Sequence, residues 1–215
     1  MVKLKSMMQS QTSKFETLSQ EKRTRILNAS ISEFSKNEYE SASMNSIVQE
    51  AKISKGALFN YFVNKSELYN YIYKIAVRKV KKYLKKVRDE SVELPFENRL
   101  RLIVEKGIRF IKKNPKLSKM YFQLRFSGNS PNQTQILNEL QKMSEQYLEN
   151  ILRTAILRKE INENINIKQS VFFLDTILNK YLNDYHRLNN TQNGAHVNSE
   201  DWTKGISSFF ARGFK

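Results

Sequence analysis

Residues 43–65 read SMNSIVQEAKISKGALFNYFVNK. Two short helices joined by a tight turn account for this pattern, and a longer helix starts where it ends. Ser43 is placed as a hydroxyl N-cap, able to accept a free N–H of the first turn. Met44, Ile47, Val48 and Ala51 recur at helical spacing and define one buried face. Lys52 and Ile53 form the turn, and Ser54 caps a second short helix over 55–62. Leu58 and Phe62, four apart, pack back on Ile47 and Ile53. Lys55, Gly56, Ala57, Phe59, Asn60 and Tyr61 are then left near the helix N-terminus or on its outer side.

That outer set holds two aromatics, an amide, a cation and two small residues, with no acid. A helix seated in a DNA major groove needs this mixture. Small residues let the backbone approach, amides and hydroxyls reach base edges, and Lys, Tyr and the helix N-terminus meet phosphates. The competing reading puts Phe59 and Tyr61 in the core and makes the stretch a plain helical hairpin.

Working outward, helix 1 is expected from Leu18–Gln20, capped by Thr17 or Ser19, to Lys36, burying Ile26, Ala29, Ser30 and Phe34. Residues 1 to about 16 read as a mobile polar arm whose Lys3, Lys5 and Lys14 are within reach of DNA. Asn37–Ala42 is a connector with Tyr39 plugging the core. Helix 4 runs from Lys65 or Ser66 to Arg88, with an apolar stripe at Leu68, Ile72, Ile75, Ala76, Val80, Tyr83 and Val87. Lys74, Arg78, Lys79, Lys81, Lys82, Lys85, Lys86 and Arg88 crowd its remaining face. Such a helix also suits a membrane surface or a partner groove. The preferred reading is a solvated connecting helix that carries a signal between two domains.

Asp89–Leu94 breaks the pattern, and Pro95 opens helix 5, which runs to Lys113. Asn114-Pro115 restarts the chain as helix 6, to Phe126. A loop over 127–131 precedes a long helix 7, 132–158. An Asn-rich loop, 160–167, leads to helix 8, 168–188, whose apolar face is broad enough to serve its own core and a second subunit. After a loop over 189–199, a last helix spans 200–212. The fold class is therefore all-α, with about nine helices: a three-helix, homeodomain-like helix-turn-helix domain over 1–65 and a second helical domain over 66–215.

The net charge is +16, with 37 Lys and Arg against 21 Asp and Glu. Residues 1–88 carry 18 basic and 7 acidic residues, and residues 89–215 carry 19 and 14. The excess is concentrated in the half with the helix-turn-helix, which suggests a polyanion partner, although codon bias toward Lys, Asn and Ile shares the credit. There is no cysteine, which excludes a disulfide framework. No apolar run reaches signal-peptide length or the ~18–20 residues of a membrane span, so no membrane partner and a cytoplasmic setting are expected. His186 and His196, the two histidines, have no carboxylates at metal-ligand spacing, and Glu33, Glu38 and Glu40 read as solvated faces. No phosphate-binding Gly loop or catalytic triad appears. No enzyme activity, metal or cofactor is expected.

Residues 25–68 resemble the DNA-binding domain of the TetR family of transcriptional regulators. The pieces that carry the resemblance are RIL-x-A at 25–29, Phe34, Tyr39, SMNSI at 43–47, ISKGALFNYF at 53–62 and NKSEL at 64–68, in order and at matching gaps. Three positions depart from the pattern. Lys52 stands where the family usually has Gly, Glu38 where Gly commonly ends the first helix, and Glu33 where Leu is common. A positive φ at either Gly position costs another residue about 1 kcal/mol.

The resemblance implies a homodimeric, ligand-responsive regulator, a repressor acting on a pseudo-palindromic DNA operator. By position, Ser43, Asn45 and Ser46 then reach the backbone or a groove edge. Ser54 caps the recognition helix at the DNA, and Lys55, Gly56, Ala57 and Asn60 face base edges. Phe59 and Tyr61 meet the sugar-phosphate chain, and Lys65 meets a phosphate. For a pocket holding an apolar or aromatic effector the candidates are Phe110, Tyr121, Phe122, Phe126, Tyr147 and Phe173, each of which has core packing as its alternative. For the dimer interface they are Phe172, Leu178, Tyr181, Leu182, Tyr185, Trp202, Ile206, Phe209 and Phe210. Two other functions fit the composition: a non-specific basic DNA-binding protein, and a regulator controlled by a protein partner.

Overall fold

The computed structural model describes residues 13–126, 130–189 and 198–215. The expected contacts of Lys3 and Lys5, the loop at 127–129, and residues 190–197 with His196 lie outside the described residues. Within them the chain is helical and has no strand. The helices are α1 (Gln20–Lys36), α2 (Met44–Ala51), α3 (Lys55–Phe59), α4 (Lys65–Ser91), α5 (Phe96–Lys113), α6 (Pro115–Phe126), α7 (Gln133–Leu157), α8 (Ile167–Asn189) and α9 (Ser199–Gly213).

Polar caps set most of the starts. Ser19, Ser43 and Ser54 accept from the N–H groups of Lys22, Ser46 and Ala57 and begin α1, α2 and α3. Asn64 Oδ1 accepts from Glu67 N at 2.9 Å while the Glu67 carboxylate reaches back to Val63 N, a reciprocal cap for α4. Two helices end on a lysine in the left-handed region. Lys52 has φ 53° and ψ 53° after α2, and Lys159 has φ 57° after α7. In each case the next N–H reaches five residues back, from Ile53 to Val48 and from Glu160 to Ala155, which satisfies a carbonyl the helix would otherwise leave open. Glu38 is not among the residues with positive φ, so only the Lys52 departure costs strain.

Three expectations need correction. The second helix of the helix-turn-helix stops at Phe59, and Asn60 and Tyr61 turn the chain so that Phe62 is still buried beside Leu58. α4 continues past Arg88 through Asp89, Glu90 and Ser91. There, Lys86 and Lys106 pair with Glu90 and offset its poor place at a helix C-terminus. Residues 13–16 are a helical turn rather than part of a mobile arm, and Phe15 is fully buried.

The chain gathers into two compact units. Of the described residues, one unit joins those up to Lys79 with those of Lys119–Thr134, and the other joins those of Val80–Ser118 with those of Gln135–Lys215. In the first, Ile26, Ile47, Leu58, Phe62, Leu68 and Ile72 are fully buried, each contributing ~1.5–3 kcal/mol of apolar transfer. The buried Tyr73 hydroxyl of α4 donates to Met120 O of α6. In the second, α5 packs on α9 and α8, over a core that includes Leu100, Ile151, Leu152 and Leu174.

Candidate nucleic-acid interface

The helix-turn-helix is positioned by a buried carboxylate. Glu33 of α1 is 7% exposed. Its Oε1 accepts from Ser43 N at 2.7 Å and from Asn37 Nδ2 at 3.0 Å. Ser43 is the cap of α2, so one side chain ties the end of α1 to the start of α2. The expectation of a solvated Glu33 is therefore wrong, while Glu38 and Glu40 are exposed. The signal was the departure itself: an acid where a core Leu is usual needs buried donors.

Lys65 clamps the same connector. Its Nζ donates to Glu40 O at 2.9 Å and Ala42 O at 3.2 Å, and it lies 4.6 Å from the Tyr39 ring centre. Of three ammonium donors, one remains for an outside partner. Tyr39 is half-buried, edge-on to Tyr69 at 5.1 Å, and so lines the rim rather than plugging the core.

On α3 and at its C-cap the backbone places Lys55, Gly56 and Asn60 in solvent, with Ser54 also exposed and Ala57 and Phe59 half-buried. No heavy atom lies within 4 Å of where a Cβ on Gly56 would stand, so Gly56 leaves the face open to close approach. Asn45 is exposed and Ser43 and Ser46 are half-buried, with the Ser43 hydroxyl engaged by Ser46 N. Tyr61 is half-buried. Its ring meets Phe15 at 5.9 Å, and the Lys22 ammonium lies 5.9 Å from the ring centre. Phe15 also meets Phe62 at 5.0 Å and Tyr71 at 5.3 Å. The turn at 13–16 is held further by Arg23 Nη1 donating to Glu16 O at 2.8 Å and by Tyr71 OH donating to Glu16 Oε1 at 3.3 Å. Sequence reading missed this anchor because one Phe among polar residues has no periodicity.

The eight basic residues of α4 from Lys74 to Arg88 are all exposed. The remaining candidates scatter. Phe126 and Phe173 are exposed, Phe110, Tyr121 and Tyr147 half-buried and Phe122 buried. Tyr121, Phe122 and Phe126 belong to the first unit, and Phe110, Tyr147 and Phe173 to the second. Burial pushes the Tyr147 phenol up to about 12.

Of the interface candidates, Leu178, Tyr181, Tyr185, Ile206 and Phe210 are buried in the single chain and Leu182 is half-buried. Gly107 explains part of that packing, since a Cβ there would stand 3.1 Å from Leu182 methyl carbons. Phe172, Trp202 and Phe209 are 64%, 57% and 66% exposed. Trp202 stacks on Tyr181 at 6.0 Å, and with Ile177, Ile206, Phe209 and Phe210 it lines a shallow groove of about 400 Å³. His186 is buried at the end of α8. Among the described residues no group of His, Asp and Glu is placed to hold a metal, and no helix is long and apolar enough to cross a membrane.

Residues 26–72 match the family model described as bacterial regulatory proteins, tetR family. No curated protein matches the chain. A TetR family transcriptional regulator from Chloroflexus aurantiacus J-10-FL superposes with a TM-score of 0.72 at 20% identity, over 94% of this chain and 97% of that one. The transcriptional regulator FadR from Bacillus subtilis, solved in complex with stearoyl-CoA, gives 0.71 at 17% identity, over 89% and 99%. The fatty acid degradation regulator FadR from Bacillus halodurans gives 0.70 at 16% identity, over 89% and 99%. At such identities the likeness shows a shared all-α fold with an N-terminal helix-turn-helix.

Proposed function

We propose that this chain, whose N-terminal domain is that of the tetR family and whose C-terminal sequence has diverged, is a ligand-released repressor. It acts as a homodimer on a pseudo-palindromic operator. The observation that carries the reading is the face of α3: an acid-free surface of Lys55, Gly56 and Asn60 held outward on a capped helix, while Leu58 locks the other side into the core. Lys55 and Asn60 supply the donors for base edges and phosphates. Ser54, Ala57, Phe59 and Tyr61 frame the contact, and Ser43, Asn45 and Ser46 approach from the start of α2. The one spare N–H of Lys65 completes the set at a phosphate. Two copies on a two-fold axis read two half-sites, and the exposed Phe172, Trp202 and Phe209 provide apolar surface for the pairing. Domain roles follow: DNA binding by 1–65, effector binding and dimerisation by 66–215.

Release by an effector is a population shift. A ligand favouring one spacing of the two heads needs a coupling of ~1–3 kcal/mol to change operator affinity 5–150-fold. The effector is a small molecule with a mainly apolar or aromatic body. The stearoyl-CoA held by the Bacillus subtilis neighbour favours a lipid-like compound over a protein partner as the controlling species.

The test is binding to DNA flanking the chain's own gene, with excess random competitor and a salt series. One short pseudo-palindrome should survive competition, and its affinity should fall steeply with salt as counterions are released. Equal binding of all DNA would assign the basic surface to non-specific binding instead.

A further inference from the structure

α5 starts without a side-chain cap, because Pro95 offers none. The Glu160 carboxylate fills that place by accepting from Phe96 N. One turn on, Arg99 is 3% exposed, and its Nε is buried with no hydrogen-bond acceptor among the described residues. Beside it stands Tyr147 of α7, whose hydroxyl is likewise buried and unbonded. Each is the other's strongest electrostatic neighbour.

The surrounding charges are already committed. Arg88 pairs with Asp89 at 2.9 Å, Arg158 with Glu93 at 3.3 Å, and Glu160 caps α5. Glu160 favours the Arg99 charge, whereas burial, Arg88 and Arg158 oppose it. Arg99 therefore has a buried, unpartnered Nε and, among the described residues, no hydrogen-bonded anion, only the longer-range attraction of Glu160. Folded proteins rarely keep such a charge, because the hydration lost is not regained without a partner. A guanidinium matches the paired oxygens of a carboxylate or phosphate, and a phenol kept protonated by burial donates to the same oxygens.

Apolar side chains continue from both groups along their helices. Ile103 and Phe110 follow Arg99 at four and eleven residues along α5. Met143 and Ile136 precede Tyr147 at the same intervals along α7. These spacings keep each on the face of its polar residue, and all four are half-buried.

We propose that Arg99 and Tyr147 form the head-group subsite of the effector, taking the oxyanion of an amphiphile whose apolar body lies along Ile103, Phe110 and Met143. This rests on the ligand-responsive reading above and adds to it that the effector carries a carboxylate or a phosphate.

Calorimetry on the full chain with dodecanoate, dodecyl phosphate and dodecanol tests the assignment. At least one anion should bind ten-fold or more tightly than the alcohol, and the preferred anion identifies the head group. Arg99→Met, which keeps length and apolar volume, should abolish that preference and leave dodecanol binding unchanged, and Arg99→Lys should restore part of it. Tyr147→Phe should weaken the anion several-fold, which keeps the test valid if Arg99→Met does not fold. Ligand-free Arg99→Met should melt no lower than wild type, and dodecanoate or dodecyl phosphate should raise the wild-type melting point only.

Equal binding of anions and alcohol, no binding of either anion, or undiminished anion binding by both Arg99→Met and Tyr147→Phe would overturn the proposal. Operator binding of the ligand-free protein, measured on the same preparations, reports separately on the repressor reading. Its loss would leave the head-group result intact, and a failed head group would leave operator binding intact.

Discussion

Replacing Glu33 with Ala should unsettle the helix-turn-helix more than any exposed substitution near it. The carboxylate accepts from Ser43 N at 2.7 Å and Asn37 Nδ2 at 3.0 Å in a site 7% exposed. A hydrogen bond to a charged group contributes ~1.5–3 kcal/mol, and a buried donor left unmet costs ~1–3 kcal/mol. Asn37 is half-buried and can turn to water, so the Ser43 amide dominates, and a loss of about 3 kcal/mol is expected for Glu33→Ala. For a chain of this size each kcal/mol moves Tm by ~2–4 °C, giving a drop of roughly 6–12 °C. Glu33→Gln keeps an acceptor and should lose about 1 kcal/mol, the difference between charged and neutral acceptors. Glu38→Ala and Glu40→Ala, at exposed positions, should stay within ~0.5 kcal/mol. Thermal and urea melts of the four variants decide the matter. If Glu33→Ala melted with Glu38→Ala, or if Gln and Ala lost the same amount, the carboxylate would not be holding α2 as described.

Lys52→Gly should stabilise the chain by about 1 kcal/mol, since φ 53° penalises a side chain but not glycine; an unchanged urea midpoint would contradict this. Lys55→Ala should weaken operator binding by ~1–3 kcal/mol without moving Tm, and a folded variant with wild-type affinity for the operator argues against α3 as the reading helix. Phe15→Ala should lose ~3–5 kcal/mol despite lying near the chain's start, as melting would register. Burial holds the Tyr147 phenol protonated up to about 12 in the folded chain, whereas the unfolded chain releases that proton near 10. Its stabilising share is thus complete below pH 10 and should drain away between pH 10 and 12, by ~2–3 kcal/mol at ~1.4 kcal/mol per unit. A Tyr147→Phe variant with the same loss over that range would refute the attribution.

The helix-turn-helix was legible because its information is local. Hydroxyl caps, an i, i+3, i+4 apolar face and a short turn lie within 23 consecutive residues, and each acts over one or two turns of chain. The same local rules place the later helices to within a few residues, since Pro95, Asn114-Pro115 and the Asn-rich 160–167 stretch break helices wherever they are packed. Two residues stand where Gly is usual, and only at Lys52 does the backbone take the positive φ that makes the exchange costly; Glu38 does not.

What the sequence did not give are the long-range terms. Phe15 is buried by Tyr61, Phe62 and Tyr71, 46 or more residues away in the chain, and no period announces such a contact. Lys65 resembles a phosphate ligand from its position, yet two of its donors go to carbonyls at 40 and 42. Residues 119–134 join the N-terminal unit although the second half of α4 and all of α5 precede them in the other, and one contact that ties them back is the Tyr73 hydroxyl of α4 donating to Met120 O. Tyr147 stood out as an aromatic pocket candidate, but Arg99 could not be told from an ordinary surface residue by type or spacing, and neither residue's lack of a hydrogen-bond partner is visible in sequence. Composition and local pattern thus determined where the main helices lie, to within a few residues, and which face of α3 is polar. Tertiary packing alone decided which charges are left without a partner, because that depends on every group brought within hydrogen-bonding reach.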